Sequence, residues 1–180
     1  RFAFDATGMR MAHLLFNSLV RLGPNLEIIG DAAESWSYDH KTLTYKFDLY
    51  PNLSFAKKEK VSKEDILFSF SEFMKEKSPF HSSLDCIDKV EVIEHFGKMR
   101  VELKLKYYSA TLLTDLSPVK ILQKKATLLA GENFFRQPIG TGSFELEKMD
   151  PSEIVLKART EGTIMPARIK KVVFKIIKDD

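Results

Sequence analysis

The sequence predicts an α+β fold, a mixed β-sheet with packed helices. In the first of three observations, Leu43, Tyr45, Phe47 and Leu49 alternate with Thr42, Thr44, Lys46 and Asp48, a two-residue period that puts the apolar set on one face of a strand. Second, Met9, Ala12, Leu15, Phe16 and Leu19, and later Ile66, Leu67, Phe70, Phe73 and Met74, recur at helical spacing. Third, the elements read in the order β, α, β, β, α, β, β, α, β, β, β, which lacks a regular parallel βα repeat.

Taken in order, residues 1–8 read as extended and end at Thr7-Gly8, with Thr7 as a cap for the first helix and Gly23-Pro24-Asn25 as its stop. Trp36, the only tryptophan, is expected to end a strand or bend and to lie buried on the Leu43–Leu49 ribbon, with Ser37 to Lys41 as the turn between them. Pro51-Asn52 breaks that ribbon. Ser62 and Asp65 form a capping-box pattern, and the helix they open should stop near Lys77, before Ser78-Pro79. Val90 to Leu105 reads as a β-hairpin turning at Gly97. Ser109 to Leu116 reads as a short helix, Pro118 to Leu122 as a short strand and Lys125 to Gly131 as a helical turn. Phe144 to Lys157 reads as a second hairpin around Asp150-Pro151, and Val172, Phe174 and Ile176 as a final strand.

At 180 residues the chain fits one domain or one domain with a subdomain. Its 28 basic and 25 acidic side chains are mixed along the chain, a balance that argues against nucleic acid as a partner. The pairs Lys57-Lys58, Lys124-Lys125 and Lys170-Lys171 read as solvated surface. The single cysteine, Cys86, reads as a small buried hydrophobe. His13, His40, His81 and His95 are too scattered for a zinc pattern, no Gly-x-Ser-x-Gly elbow is present, and Gly140-Thr141-Gly142-Ser143 lacks the lysine ending of a phosphate loop. No catalytic residue, metal ligand or cofactor is therefore expected, and the chain reads as a non-enzyme.

Five pieces, in order, resemble the peptide/nickel-binding family of bacterial extracellular solute-binding proteins, the receptors of ABC importers. Ala33-Glu34-Ser35-Trp36 and Thr44-Tyr45-Lys46-Phe47-Asp48-Leu49 match its "Ala-x-Ser-Trp" and "Thr-Tyr-x-Phe-x-Leu". Phe55 stands where the family has Phe before a "His-Asp-Gly-x-Pro" turn, although Ala56-Lys57-Lys58-Glu59-Lys60 replaces that turn and is expected to be looser. Val61 to Phe70 resembles its "hydrophobic-Thr-Ala-Glu-Asp-Val-x-Phe-Ser" helix start, and Pro138 to Phe144 its "Pro-hydrophobic-Gly-Thr-Gly-Pro-Tyr" loop. The "Tyr-Trp-x-Gly-x-Pro" tryptophan is absent near Ile164-Met165-Pro166.

The resemblance implies the N-terminal part of a two-lobed periplasmic binding protein-like fold. Residues 1–31 and 136–180 would form its base and 32–135 an inserted β-rich subdomain, the second ligand-binding lobe being absent. It implies capture of a peptide or related small solute for an ABC permease, in the periplasm or on an extracellular lipid anchor. Arg1 to Asp5 lack the apolar segment of an export signal, so the signal would be removed or lie outside the chain. Ligand-binding residues are expected at Thr7, Gly8, Met9 and Arg10, with Gly140, Thr141 and Gly142 nearby. The surface left by the missing lobe would allow self-association. A protein-interaction module, or an enzyme domain without a recognisable motif, is the alternative.

Overall fold

The structure, a computed structural model, describes residues 6–177. Helix α1 (Ala6–Leu15) opens it, followed by the short strands β1 (Val20–Leu22) and β2 (Ile28–Gly30). Next come β3 (Ala33–Asp39), β4 (Thr44–Leu49) and helix α2 (Lys63–Phe73). The hairpin β5 (Ile87–His95) and β6 (Lys98–Leu105) leads to helices α3 (Leu112–Asp115) and α4 (Lys124–Ala130). Strands β7 (Phe144–Met149), β8 (Glu153–Ala158) and β9 (Lys171–Lys175) close the described chain. Among the described residues the strands form three antiparallel sheets, β1-β2, β3-β4-β6-β5 and β7-β8-β9, which makes the fold α+β as the sequence predicts.

The four-stranded sheet follows from the two-residue period. Residues paired across antiparallel strands point to the same face. Trp36, Phe47, Val101 and Val92 therefore form one row and Tyr38, Tyr45, Leu103 and Val90 the next, while Ser37, Lys46, Glu102 and Glu91 face away. The apolar face is covered in part by α2, which packs on β5 through buried Ile66, Phe70 and Phe73. The β5–β6 turn is Phe96-Gly97, with φ of 50° and 71°, the left-handed pair that matches strand twist in a two-residue hairpin. A single cluster of buried apolar side chains joins the layers, with Phe16, Phe47, Phe55, Ile66, Phe134 and Leu156 among its largest members.

Several elements differ from the sequence expectation. Thr7 lies inside the first turn of α1 and does not cap it, while the strand expected from residue 1 falls largely on residues outside the described ones. The helix stops at Leu15, well before Gly23, because Phe16 to Val20 turn inward to the core and β1 begins at Val20. Gly23 to Asn25 instead make the turn of the β1–β2 hairpin, closed by Gly23 N donating to Glu27 O at 2.8 Å. β3 runs on to Asp39, so Trp36 is mid-strand and half-buried rather than terminal and buried. Leu43 falls in the turn with φ of 50°, outside the strand its spacing suggested. α2 ends at Phe73, short of Lys77. Pro118 to Leu122 is not a strand: buried Ile121 and Leu122 bond to Asn17 O and Ser69 Oγ rather than to a ladder.

Candidate functional site

α1 presents the first group of expected ligand residues. Thr7, Met9 and Arg10 are exposed and Gly8 is half-buried. Helical rise places Thr7 about 12 Å from Leu15. The second group lies at that far end. Gly142 N donates to Leu15 O at 2.9 Å, Asn17 N donates to Thr141 Oγ1 at 2.9 Å, and Ala56 N donates to Gly140 O at 3.1 Å. All three residues are buried. The structure thus holds Thr7–Arg10 and Gly140–Gly142 at opposite ends of one helix rather than side by side.

The glycines are required by that contact. A Cβ on Gly140 would lie 1.8 Å from Leu15 O, and one on Gly142 2.3 Å from Leu14 O. The loop is held from its other side by Arg159, which is 6% exposed. Its Nη1 donates to Gly140 O and Gly142 O at 3.3 and 3.0 Å, and its Nη2 to Ser54 O, Phe55 O and Gly162 O at 3.2, 2.9 and 2.9 Å. One planar guanidinium thereby joins three separate segments through backbone carbonyls.

Between α1 and the β7–β8 hairpin lies a cavity of about 400 Å³. Among the described residues it includes Gly8 and Met9 but not Thr7, Arg10 or the glycine loop. Its wall is mostly apolar, and its polar members are His13, Lys120 and Glu132. Lys120 Nζ is buried and has three partners: His13 Nδ1 at 2.8 Å, Ser18 Oγ at 2.8 Å and Ser117 O at 2.9 Å. Beside it Asp31 accepts from Asn17 Nδ2 at 2.6 Å and Ser18 N at 2.7 Å, with Arg21 Nε at 3.9 Å. Burial pulls the Lys120 amine down to about 7, opposed by Asp31 and assisted by Arg21. Burial, then the charges of Lys120 and Arg21, lower His13 to about 4.

Sequence reasoning missed both Lys120 and Arg159. Lys120 has one local signal, a lone cation inside the apolar run Pro118 to Leu122. Arg159 has none, because its partners lie as far as 105 residues away in sequence. Among the described residues no group of histidine, cysteine and carboxylate side chains could hold a metal ion, and no helix is long and apolar enough to cross a membrane.

Residues 27–180 match the family of bacterial extracellular solute-binding proteins, family 5 Middle. The chain is 25% identical to the peptide transport periplasmic protein SapA of Salmonella typhimurium, with 84% of this chain and 32% of that protein covered. Among solved structures it is similar to MoaA from A. tumefaciens R10 in complex with mannopinic acid, at 25% identity and a TM-score of 0.86 over 99% of this chain and 38% of that one. It is also similar to NikZ from Campylobacter jejuni in complex with Ni(L-His), at 26% identity and a TM-score of 0.79 over 92% of this chain and 34% of that one. The chain spans about a third of the length of SapA. Its motifs, its α+β architecture and the match over most of its length agree, and the chain belongs to family 5 of the bacterial extracellular solute-binding proteins.

Proposed function

We propose that the chain is part of the substrate-binding component of an ABC importer, which captures a peptide or related small solute outside the cytoplasmic membrane and delivers it to a permease. The family match over residues 27–180 carries this reading. The names of its relatives support the solute class: SapA is a peptide transport protein, and MoaA and NikZ hold small polar ligands. The periplasm, or the extracellular side of the cell membrane through a lipid anchor, is the proposed location. Capture would work by closure of two lobes over the ligand, with residues 1–31 and 136–180 as base of one lobe and 32–135 inserted into it. Thr7, Gly8, Met9 and Arg10 would meet the ligand, since first-turn backbone N–H groups of a helix point outward toward a carbonyl or carboxylate. Gly140, Thr141 and Gly142, which bond to Ala56, Asn17 and Leu15, would set the position of that helix.

One lobe encloses only one side of a ligand, so these residues by themselves should bind peptide at about millimolar affinity or weaker. In cells, deleting the gene should abolish uptake of a labelled peptide mixture or of a related solute, and unchanged uptake of every solute tried would exclude the importer role. In the purified protein, titrated peptides should shift the amides of Thr7 to Arg10 first. Shifts confined to the hairpin around Gly97 would place the ligand elsewhere.

A further inference from the structure

We propose that Lys120 is a carbonyl-reactive amine, and that the cavity between α1 and the β7–β8 hairpin takes a small apolar aldehyde or ketone and holds it as an imine. The side chain is 5% exposed and lines a cavity of about 400 Å³ walled by Met11, Phe16, Leu122, Leu146 and Ile154, a size and polarity suited to a short alkyl or aryl group. Two of its lining residues, Met9 and Met149, are 41% and 52% exposed, so its wall extends to the protein surface.

The surrounding groups can serve both charge states of the amine. Ser18 Oγ–H donates to Ser117 O, so Ser18 Oγ and Ser117 O both accept from Lys120. The third partner is His13 Nδ1, which accepts from the ammonium in the tautomer protonated at Nε2 and can there take up a proton from the amine. Losing one proton leaves two N–H groups for these three acceptors and frees the nitrogen lone pair. Among the described residues the charged and titratable groups bearing on Lys120 are His13 on α1, Arg21 on β1 and Asp31 after β2, and Glu132 lines the same cavity. Burial and Arg21 favour the neutral amine, and Asp31 opposes them.

In the reaction the nitrogen lone pair forms a bond to the carbonyl carbon as the C=O π pair moves onto oxygen. A proton leaves nitrogen for His13 and is returned to that oxygen, giving a carbinolamine. Loss of water then gives the C=N bond, so aldehyde plus amine become imine plus water with no oxidant or reductant. Lys120 would carry this chemistry whichever solute the protein transports.

The purified protein, incubated with hexanal and sodium cyanoborohydride at pH 7, should be trapped as an alkylated amine at Lys120 at least tenfold faster than at the exposed Lys41 and Lys98, read by peptide mapping. An excess of 1-hexanol, which has the chain but no carbonyl, should slow Lys120 and leave Lys41 and Lys98 unchanged. Modification of Lys120 no faster than of Lys98 would overturn the proposal, and so would fast modification that hexanol does not slow.

Discussion

Lys58 holds a backbone conformation, φ of 63°, that L side chains rarely adopt. It stands where the family pattern has the glycine of "His-Asp-Gly-x-Pro", so here a residue with a Cβ holds a conformation that glycine adopts without strain. Phe55 N donating to Glu59 O at 2.8 Å and a bridge between Ser54 and Lys60 hold it there. The sequence expectation of a looser turn follows from the missing glycine and proline, yet these longer-range bonds keep the segment hydrogen-bonded. Left-handed strain of about 1–2 kcal/mol set against a glycine entropy term of about 0.5–1 kcal/mol gives the expected effect of Lys58→Gly: a gain of about 0.5–1 kcal/mol, read as a higher urea midpoint at unchanged slope.

The His13–Lys120 pair gives stability a pH dependence of definite sign. Lys120 has a folded value of about 7 against about 10.4 for a free lysine. Between those values the unfolded chain binds a proton that the folded protein does not, so stability rises with pH from about 7 to 10. His13, lowered to about 4 from an ordinary 6.5, acts the same way lower down: stability falls as the pH drops from 6.5 towards 4. Denaturant midpoints measured at pH 5, 7 and 9 should climb. Lys120→Met should flatten the upper part of that climb and His13→Gln the lower part. A slope unchanged in Lys120→Met would show that other groups set it.

At the scale of elements, α2 shows what local sequence can specify. Ser62 Oγ accepts from Asp65 N at 3.2 Å and Asp65 Oδ2 accepts from Ser62 N at 2.9 Å, the reciprocal pair its spacing predicts. The hairpins at Gly97 and Asp150 were legible for the same reason: turn residues and a two-residue period act over a few positions. The failures lie where distant partners decide. Phe16 and Leu19 fit a helical face, but both are buried outside any helix, in a segment bonded to Asp31, Thr141 and Ile121. Asp65 also exceeds its local role, because its Oδ1 accepts from Lys124 N at 2.8 Å and ties the start of α2 to the start of α4. Ser62→Ala should therefore cost about 1 kcal/mol, as for an ordinary cap. Asp65→Ala should cost about 2–3 kcal/mol, since it also leaves the Lys124 N–H without its acceptor. Equal losses in thermal unfolding would show that the tie to α4 carries no weight.

At the scale of the whole molecule, the family resemblance implies a chain path, with residues 1–31 and 136–180 as one base, that no local pattern suggests. We propose that Arg159 and the Gly140–Gly142 loop are the joint of that base. The loop packs on the end of α1 with no room for a Cβ, and α1 contacts β7. Arg159 fastens the same loop to Ser54 and Phe55, which follow β4, so this one side chain would join the proposed base to the proposed inserted subdomain, alongside the direct bonds from Ala56 N to Gly140 O and from Ile121 N to Asn17 O. A buried guanidinium with carbonyl partners on three segments stabilises them only while all remain in place, and its removal leaves several buried carbonyls short of a donor. Arg159→Met should cost about 3–5 kcal/mol. Gly140→Ala should cost about 1–3 kcal/mol or more, because the clash is with backbone and not with a side chain that can swing away. Hydrogen exchange separates a joint from general destabilisation. In both variants the amides of Asn17, Ala56 and Gly142 should lose protection before those of Phe47 and Val101 in the centre of the four-stranded sheet. If all of these amides open together, the 180 residues form one cooperative unit and the joint is not a separate element of the fold.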